Sequence, residues 1–391
     1  MPSTEVAIIG AGPAGLMLSH LLAGAGVSSV VLEARDRDYV QHRVRAGVLE
    51  QGSVDLLTDC GAGNRLAREG LVHTGVNLQF EGHRHRIDLS GLTGGKAITV
   101  YGQQRLVGDL IDARLAAGGD VRFETPATGI IGIGADRPAV RFRPADGTEA
   151  RLDCDWVAGC DGSFGVSRAA VPETAVRVFE RTYPFAWLGV LAEVAPSTDE
   201  LIYSFHTDGF ALHSLRSPEL SRLYLQVAPD EDLEAWSDDR VWDELARRLA
   251  SPGWTLQTGP ITEKSLTPMR SLVIEPMRHG RLVLAGDAAH VVPPTGAKGL
   301  NLALADVTVL AAALTAWYRG DPAGVDSYSD TCLRRVWRVQ DFSTYLTGLM
   351  HVDPGADRFE RRVQAARQRY VTTSPTASAV IAENYVGLAV C

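Results

Sequence analysis

The chain has 391 residues, 45% of them hydrophobic and 22% charged, which is the usage of a fully folded globular protein and excludes long disordered stretches; its length predicts two closely packed units. Lys and Arg number 38 against 47 Asp and Glu, a formal net charge of −9, which argues against nucleic acid or an anionic membrane as the principal partner. Five cysteines, Cys60, Cys154, Cys160, Cys332 and Cys391, form no CxxC pair and no Cys/His cluster with metal-ligand spacing, so a reduced, cytoplasmic setting without a bound metal is expected.

From the N-terminus, Val6-Ala7-Ile8-Ile9 is an apolar run of the kind buried in a parallel sheet. Gly10 to Gly15 forms a turn, Pro13 to Leu22 continues with helical spacing, and Ser28 to Leu32 returns as a strand ending at Glu33. The apolar stretch Val6 to Leu22 has no Lys or Arg before Arg35, so it lacks the basic region of a signal peptide. Between about Val176 and Ser271 the αβ alternation gives way to strands such as Phe185 to Val190 and Leu223 to Val227, the pattern of a sheet unit inserted into a nucleotide-binding unit. The αβ texture resumes at Leu282-Val283-Leu284, and the chain after Asn301 reads as helices. The run Leu300 to Tyr318 carries Asp306 and fits a buried helix better than a membrane span. The fold class expected is α/β (α+β): a Rossmann-like dinucleotide-binding domain with an inserted β-sheet domain and C-terminal helices. Its boundaries fall at 1–175, 176–270 and 271–391.

Gly10-Ala11-Gly12-Pro13-Ala14-Gly15 is the strongest local signal. Gly10 permits the tight turn, Gly12 lets the backbone approach a pyrophosphate at the helix N-terminus, and Gly15 allows the helix to pack on the strand. Glu33, about 20 positions on, is placed to accept from a ribose hydroxyl and would repel a 2′-phosphate. FAD or NAD therefore fits better than NADP, and this motif alone does not choose between them.

Two more fragments extend the pattern. Cys154 to Gly162 is a strand running into Asp161-Gly162, and Arg281 to His290 is a strand running into Gly286-Asp287. With the N-terminal glycines, in this order and spacing, they resemble the three fingerprints of the single-component flavoprotein aromatic hydroxylases. Arg43 to Gly52, Gly70 to His73, Tyr183-Pro184-Phe185, Val292 to Asn301 and Ala382 to Leu388 resemble, within that family, the branch acting on 4-hydroxybenzoate, and the likeness runs from residue 4 to residue 388. The resemblance implies bound FAD, NADPH or NADH as reductant, molecular oxygen, a phenolic acid substrate hydroxylated at the 3-position to 3,4-dihydroxybenzoate, and a homodimer.

Ring hydroxylation needs an electrophilic oxygen and an electron-rich ring, and a phenol becomes electron-rich when it ionises. A site for it must hold the substrate carboxylate at one end and remove the phenolic proton at the other. Ser214 and Arg216 lie two apart on one predicted strand face, near Tyr224 on the next strand. Arg216 offers the fork a carboxylate fits, and the resemblance implies that Ser214 and Tyr224 add hydroxyls. For the other end it implies Tyr203 against the substrate hydroxyl, Tyr385 behind it and His73 as the outlet to solvent, a chain suited to passing protons because tyrosine both donates and accepts.

The glycine-rich segment from Pro293 feeds a helix starting near Leu300, whose positive end suits the charge on a reduced flavin. There the resemblance implies Gly299, Leu300 and Asn301 at the flavin, with Pro294 and Thr295 walling the substrate. It further implies flavin contacts from Arg43, Arg45, Gln103, Asp161 and Asp287, and an Arg222 that couples flavin movement to the substrate unit. For NAD(P)H it implies Arg35, Tyr39, Arg43 and Arg270 on a surface groove. Ala34 and Phe164 replace an Arg and a His of the NADPH-type pattern, while Arg37 adds charge and Asp36 opposes it, so the preference between the two reductants stays open. Two other activities remain: the same chemistry on a related para-substituted benzoate (4-aminobenzoate or a ring-substituted 4-hydroxybenzoate), which His213 beside Ser214 would favour, and a non-catalytic FAD-binding sensor.

Overall fold

The computed structural model describes residues 3–43 and 47–387. Its first sheet has eight strands. The parallel centre runs in spatial order Leu282–Leu284, Ala150–Gly159, Ser3–Ile9, Ser29–Leu32 and Asp120–Arg122. Antiparallel Ala139–Phe142 and Ala127–Ile131 flank it on one branch. The predicted first unit is present with the strand Ser3–Ile9, the helix Pro13–Gly24 and the strand Ser29–Leu32. Val6, Ala7 and Ile8 are fully buried, as a strand at the centre of a parallel sheet covered on both faces requires.

The second sheet also has eight strands, ordered His290–Val291, Ile261–Glu275, Arg177–Ala192, Leu220–Val227, Ala211–Ser217, Ile202–Phe205, Gly75–Phe80 and His83–Asp88. Its last two strands come from far outside the stretch 176–270. Gly75–Phe80 pairs in parallel with Ile202–Phe205 (Leu78 opposite Tyr203), and His83–Asp88 closes the edge as a hairpin. The long strands Arg177–Ala192 and Ile261–Glu275 pair with each other and reach back toward the first sheet.

The side-chain period of two sorts this sheet into two faces. Leu188, Val190, Ile202, Leu223 and Leu225 point one way, into an apolar cluster with the helix Asp238–Arg248. Trp187, Tyr203, Leu212 and Tyr224 point the other way, toward the C-terminal helices Tyr328–Met350 and Pro375–Val386. The helix Gly299–Trp317 is long and apolar enough to cross a membrane. It packs instead in the main core against the helix Pro13–Gly24, and its Asp306 is buried.

Candidate active site

A cleft of about 570 Å³ opens at the carboxyl ends of the parallel strands, the usual ligand position in such a sheet. Gly10, Gly12, Glu33, Arg35, Tyr39, Arg43, Gln103, Asp161, Phe164, Asp287, Gly299 and Leu300 all line it. Gly10 has φ +102°, and a Cβ there would sit 2.5 Å from the Cys160 carbonyl oxygen; a Cβ on Gly15 would sit 2.0 Å from the Gly10 oxygen. Gly12 faces open space on its Cβ side, as a close approach by a ligand requires. The Glu33 carboxylate is fixed by accepting from Ala11 N (2.7 Å) and Arg35 N (2.9 Å). Asp161 Oδ2 accepts from Ser167 N (2.9 Å), while Oδ1 is buried with no protein partner, and burial raises the carboxyl pKa. A buried acceptor of this kind, a fixed carboxylate and an open glycine turn together fit a dinucleotide such as FAD.

Asp287 lies on a turn clamped from two sides. Arg168 donates to the carbonyls of Asp287 (2.7 Å) and Ala288 (3.0 Å), and Asp306 Oδ2 accepts from Gly286 N (2.9 Å) and meets His290 Nε2 at 2.6 Å. Asn301 stands in the first turn of the helix Gly299–Trp317. Its side chain accepts from Glu50 N and Ser53 Oγ and donates to the carbonyls of Val48 and Ala297. With both amide hydrogens and both lone pairs of the oxygen engaged, the side chain braces 48–53 against the helix Gly299–Trp317. Arg45 lies outside the described residues.

The expected substrate groups share one face of the second sheet. Ser214 stands opposite Arg222, and Leu212 opposite both Tyr203 and Tyr224. Arg216 NH1 donates to Leu215 O (3.0 Å) and Ser214 Oγ (3.3 Å), and the backbone of Gly47 packs against its guanidinium. Burial lowers the Arg216 pKa, and the nearby Tyr224 hydroxyl works the other way. Arg222 donates to Glu263 (3.1 Å) and Ser265 (3.0 Å) and lies over the Tyr224 ring at 5.3 Å.

The hydroxyls of Tyr203 and Tyr385 are 2.7 Å apart, and both side chains are 2% exposed. Burial raises both phenol pKa values, so both stay protonated through the neutral range. His73 is buried on the strand Leu71–His73, beside Leu71, which packs on the cluster containing both tyrosines. Neither His73 ring nitrogen has a protein partner, and burial lowers its pKa, opposed by Glu200 and Asp199. Pro294 and Thr295 form the short turn before the helix Gly299–Trp317, and Thr295 is fully buried. His213 does not join the site: it pairs with Ile202 and Leu223 on the opposite sheet face, where its ring meets Trp254 edge-on.

At the rim, Arg35 and Arg43 lie over the Tyr39 ring at 5.2 and 5.7 Å. Arg37 is held away by Asp112 (2.7 Å) and Gln41, and Asp36 caps its own helix. Phe164 is 92% exposed, with Arg270 over its ring at 5.2 Å.

The sequence reading assigned no role to a buried charge cluster behind Tyr385. Lys298 Nζ donates to Glu50 Oε1 (2.6 Å) and to Tyr385 O (2.9 Å), and Arg335 pairs with Glu50 Oε2 (2.9 Å). Both Glu50 and Lys298 sit inside motifs that carried the resemblance, but nothing local marks them as buried. Lys298→Met leaves the buried Glu50 with Arg335 and is expected to lower the unfolding free energy by about 3 kcal/mol; urea denaturation of the holoprotein measures it.

A family model described as "FAD binding domain" matches residues 3–343. The p-hydroxybenzoate hydroxylase of Acinetobacter baylyi is 48% identical over 98% of this chain and 95% of its own length. A 3-(3-hydroxy-phenyl)propionate/3-hydroxycinnamic acid hydroxylase of Mycobacterium avium is 27% identical over 95% of this chain and 64% of its own. Among solved structures, p-nitrophenol 4-monooxygenase of Pseudomonas putida superposes with a TM-score of 0.84 at 20% identity, covering 98% of this chain and 97% of that one, which bears on the fold alone. A glycine cleft built for a dinucleotide and a likeness spanning nearly the whole of both chains lead to one conclusion: the chain belongs to the FAD-binding family of aromatic hydroxylases, alongside p-hydroxybenzoate hydroxylase.

Proposed function

We propose that this chain hydroxylates 4-hydroxybenzoate at the 3-position, giving 3,4-dihydroxybenzoate and water from NAD(P)H, a proton and O2. One observation carries the reading: a buried pair of tyrosine hydroxyls at 2.7 Å, Tyr203 on the sheet face that carries Ser214 and Tyr224 and Tyr385 on the helix Pro375–Val386 packed over it, with Arg216 donating to Ser214 Oγ. Bound FAD, once reduced by NAD(P)H, supplies the means of turning O2 into an electrophilic oxygen donor. Gly10, Gly12, Gly15, Glu33, Arg43, Gln103, Asp161, Asp287, Gly299 and Leu300 would hold it.

The protein's own part is to bind, orient and deprotonate. Arg216 takes the substrate carboxylate with help from Ser214 and Tyr224, and Pro294 and Thr295 wall the ring. Tyr203 accepts the phenolic proton's hydrogen bond while donating to Tyr385, so the proton can leave through hydroxyls that remain protonated on average. His73, buried with neither ring nitrogen bonded, is the proposed outlet for that proton. In this reading 1–175 and 271–391 form the flavin unit and 176–270 the substrate unit, with 75–88 added to the latter's sheet, and the protein works as a cytoplasmic homodimer.

For the reductant, Arg35, Tyr39, Arg43 and Arg270 are the proposed contacts. With Arg37 tied to Asp112 and Phe164 at the rim, charge for a 2′-phosphate rests on Arg35 and Arg43. NADH and NADPH are expected to support turnover within about tenfold of each other, a difference of about 1.4 kcal/mol. Steady-state kcat/KM for both reductants tests this, and a thousandfold preference would contradict it. Substrate-stimulated NAD(P)H oxidation separates an enzyme from a sensor.

A further inference from the structure

Beside the substrate face lies a group of rings with no assigned part in the reaction. His351 follows the helix Tyr328–Met350 and stacks on Phe185 (4.8 Å, 9°) and Trp187 (5.8 Å, 11°), with Phe210 at 4.5 Å. Trp187 in turn lies 4.8 Å from the Tyr224 ring, and Phe210 lies 5.9 Å from that of Tyr203. The hydrogen bonds run in one direction. Trp187 Nε1 is a donor only, so His351 Nε2 accepts (2.7 Å), which places the imidazole proton on Nδ1, 3.1 Å from the Thr347 carbonyl. The Thr347 hydroxyl then donates to Thr295 Oγ1 (2.9 Å). Trp187, His351, Thr347 and Thr295 are each 0 to 3% exposed. Burial pushes the His351 pKa down to about 3, in keeping with a neutral ring.

We infer that Trp187, His351 and Thr347 form a hydrogen-bonded strut joining the substrate face of the second sheet to the Pro294–Gly296 turn, with His351 as a positioning residue that sets the gap between Tyr224 and Thr295. The inference rests on the hydroxylase reading for its consequence and on the hydrogen bonds for its existence. A strut of this kind governs how tightly an aromatic ring is held, because its two ends are walls of the proposed substrate site. A second tie joins the same two segments: Gln226 donates to Val352 O (2.6 Å) and accepts from Val352 N (3.0 Å).

His351→Phe keeps the stack and deletes both ring hydrogen bonds. It is expected to raise the dissociation constant of 4-hydroxybenzoate about tenfold, to lower the product formed per NAD(P)H, and to leave FAD affinity within about twofold. Trp187→Phe, which cuts only the link the two residues share, should shift both in the same direction, and the double variant should be no worse than His351→Phe alone, because that substitution already removes the shared link. Unchanged substrate affinity with full coupling, or additive losses, would overturn the strut. Should His351→Phe not fold, Thr347→Val, which cuts only the link to Thr295, must still lose coupling. If the wild type fails to hydroxylate 4-hydroxybenzoate, the functional reading fails separately. The strut is then judged by nitrogen NMR of His351, which must show the Nδ1–H tautomer alone from about pH 5 to 8; an Nε2–H tautomer refutes it.

Discussion

Tyr203→Phe is expected to bind 4-hydroxybenzoate normally yet form product from only a small part of the NAD(P)H it consumes, the rest appearing as hydrogen peroxide. The hydroxyl removed touches the Tyr385 hydroxyl at 2.7 Å and is assigned to proton removal rather than to anchoring, which falls to Arg216 at the other end. Without it the ring stays largely neutral and reacts poorly with the electrophilic oxygen. General acid–base contributions of ~10²–10⁴ imply that product per reductant falls about tenfold or more. The bound phenolate fraction should also stop rising near neutral pH. Tyr385→Phe should be milder, because Tyr203 still accepts from the substrate. A fully coupled Tyr203→Phe enzyme with an unaltered phenolate titration would send the proton by another route.

Arg216→Ala is expected to weaken substrate binding about a hundredfold, ~3 kcal/mol, because it strands the substrate carboxylate without its charge partner. Arg216 is oriented in advance by Leu215 O and Ser214 Oγ and packed against Gly47, so little ordering cost offsets the loss. Calorimetric titration of the FAD-loaded protein with 4-hydroxybenzoate gives the number, with FAD content as the control for folding. An unchanged affinity would remove Arg216 from the site.

The flavin unit was legible because its signals are local. The glycine turn, the acid at the end of the second strand and the two later Asp turns can each be read from a few neighbouring residues, and Gly10, Glu33, Asp161 and Asp287 all line one cleft. The period of two predicted that Ser214 and Arg216 would sit together, and Arg216 NH1 does donate to Ser214 Oγ although the strand register shifts at that point. That same period puts His213 on the far face, a consequence of strand geometry that its chain adjacency to Ser214 conceals.

What escaped the sequence depends on pairing over long separations. Gly75–Phe80 joins a strand more than a hundred residues away, and neither segment carries a mark of the other. Glu50 and Lys298 are 248 apart in sequence, and alone each reads as a solvated charge. Only the fold shows that both are buried and paired. Asn301 was read as a flavin contact from its place after the glycine loop, and its partners at 48–53 were invisible until that loop was folded onto them.

The central claim is that this chain inserts one atom of O2 into the ring of 4-hydroxybenzoate. Holoprotein supplied with NAD(P)H, 4-hydroxybenzoate and ¹⁸O₂ should give 3,4-dihydroxybenzoate carrying a single ¹⁸O atom, with the Arg216→Ala enzyme forming far less of it at low substrate concentration. Mass spectrometry of the product decides the matter: unlabelled product, or no product while NAD(P)H is consumed at a rate indifferent to 4-hydroxybenzoate, would contradict the account.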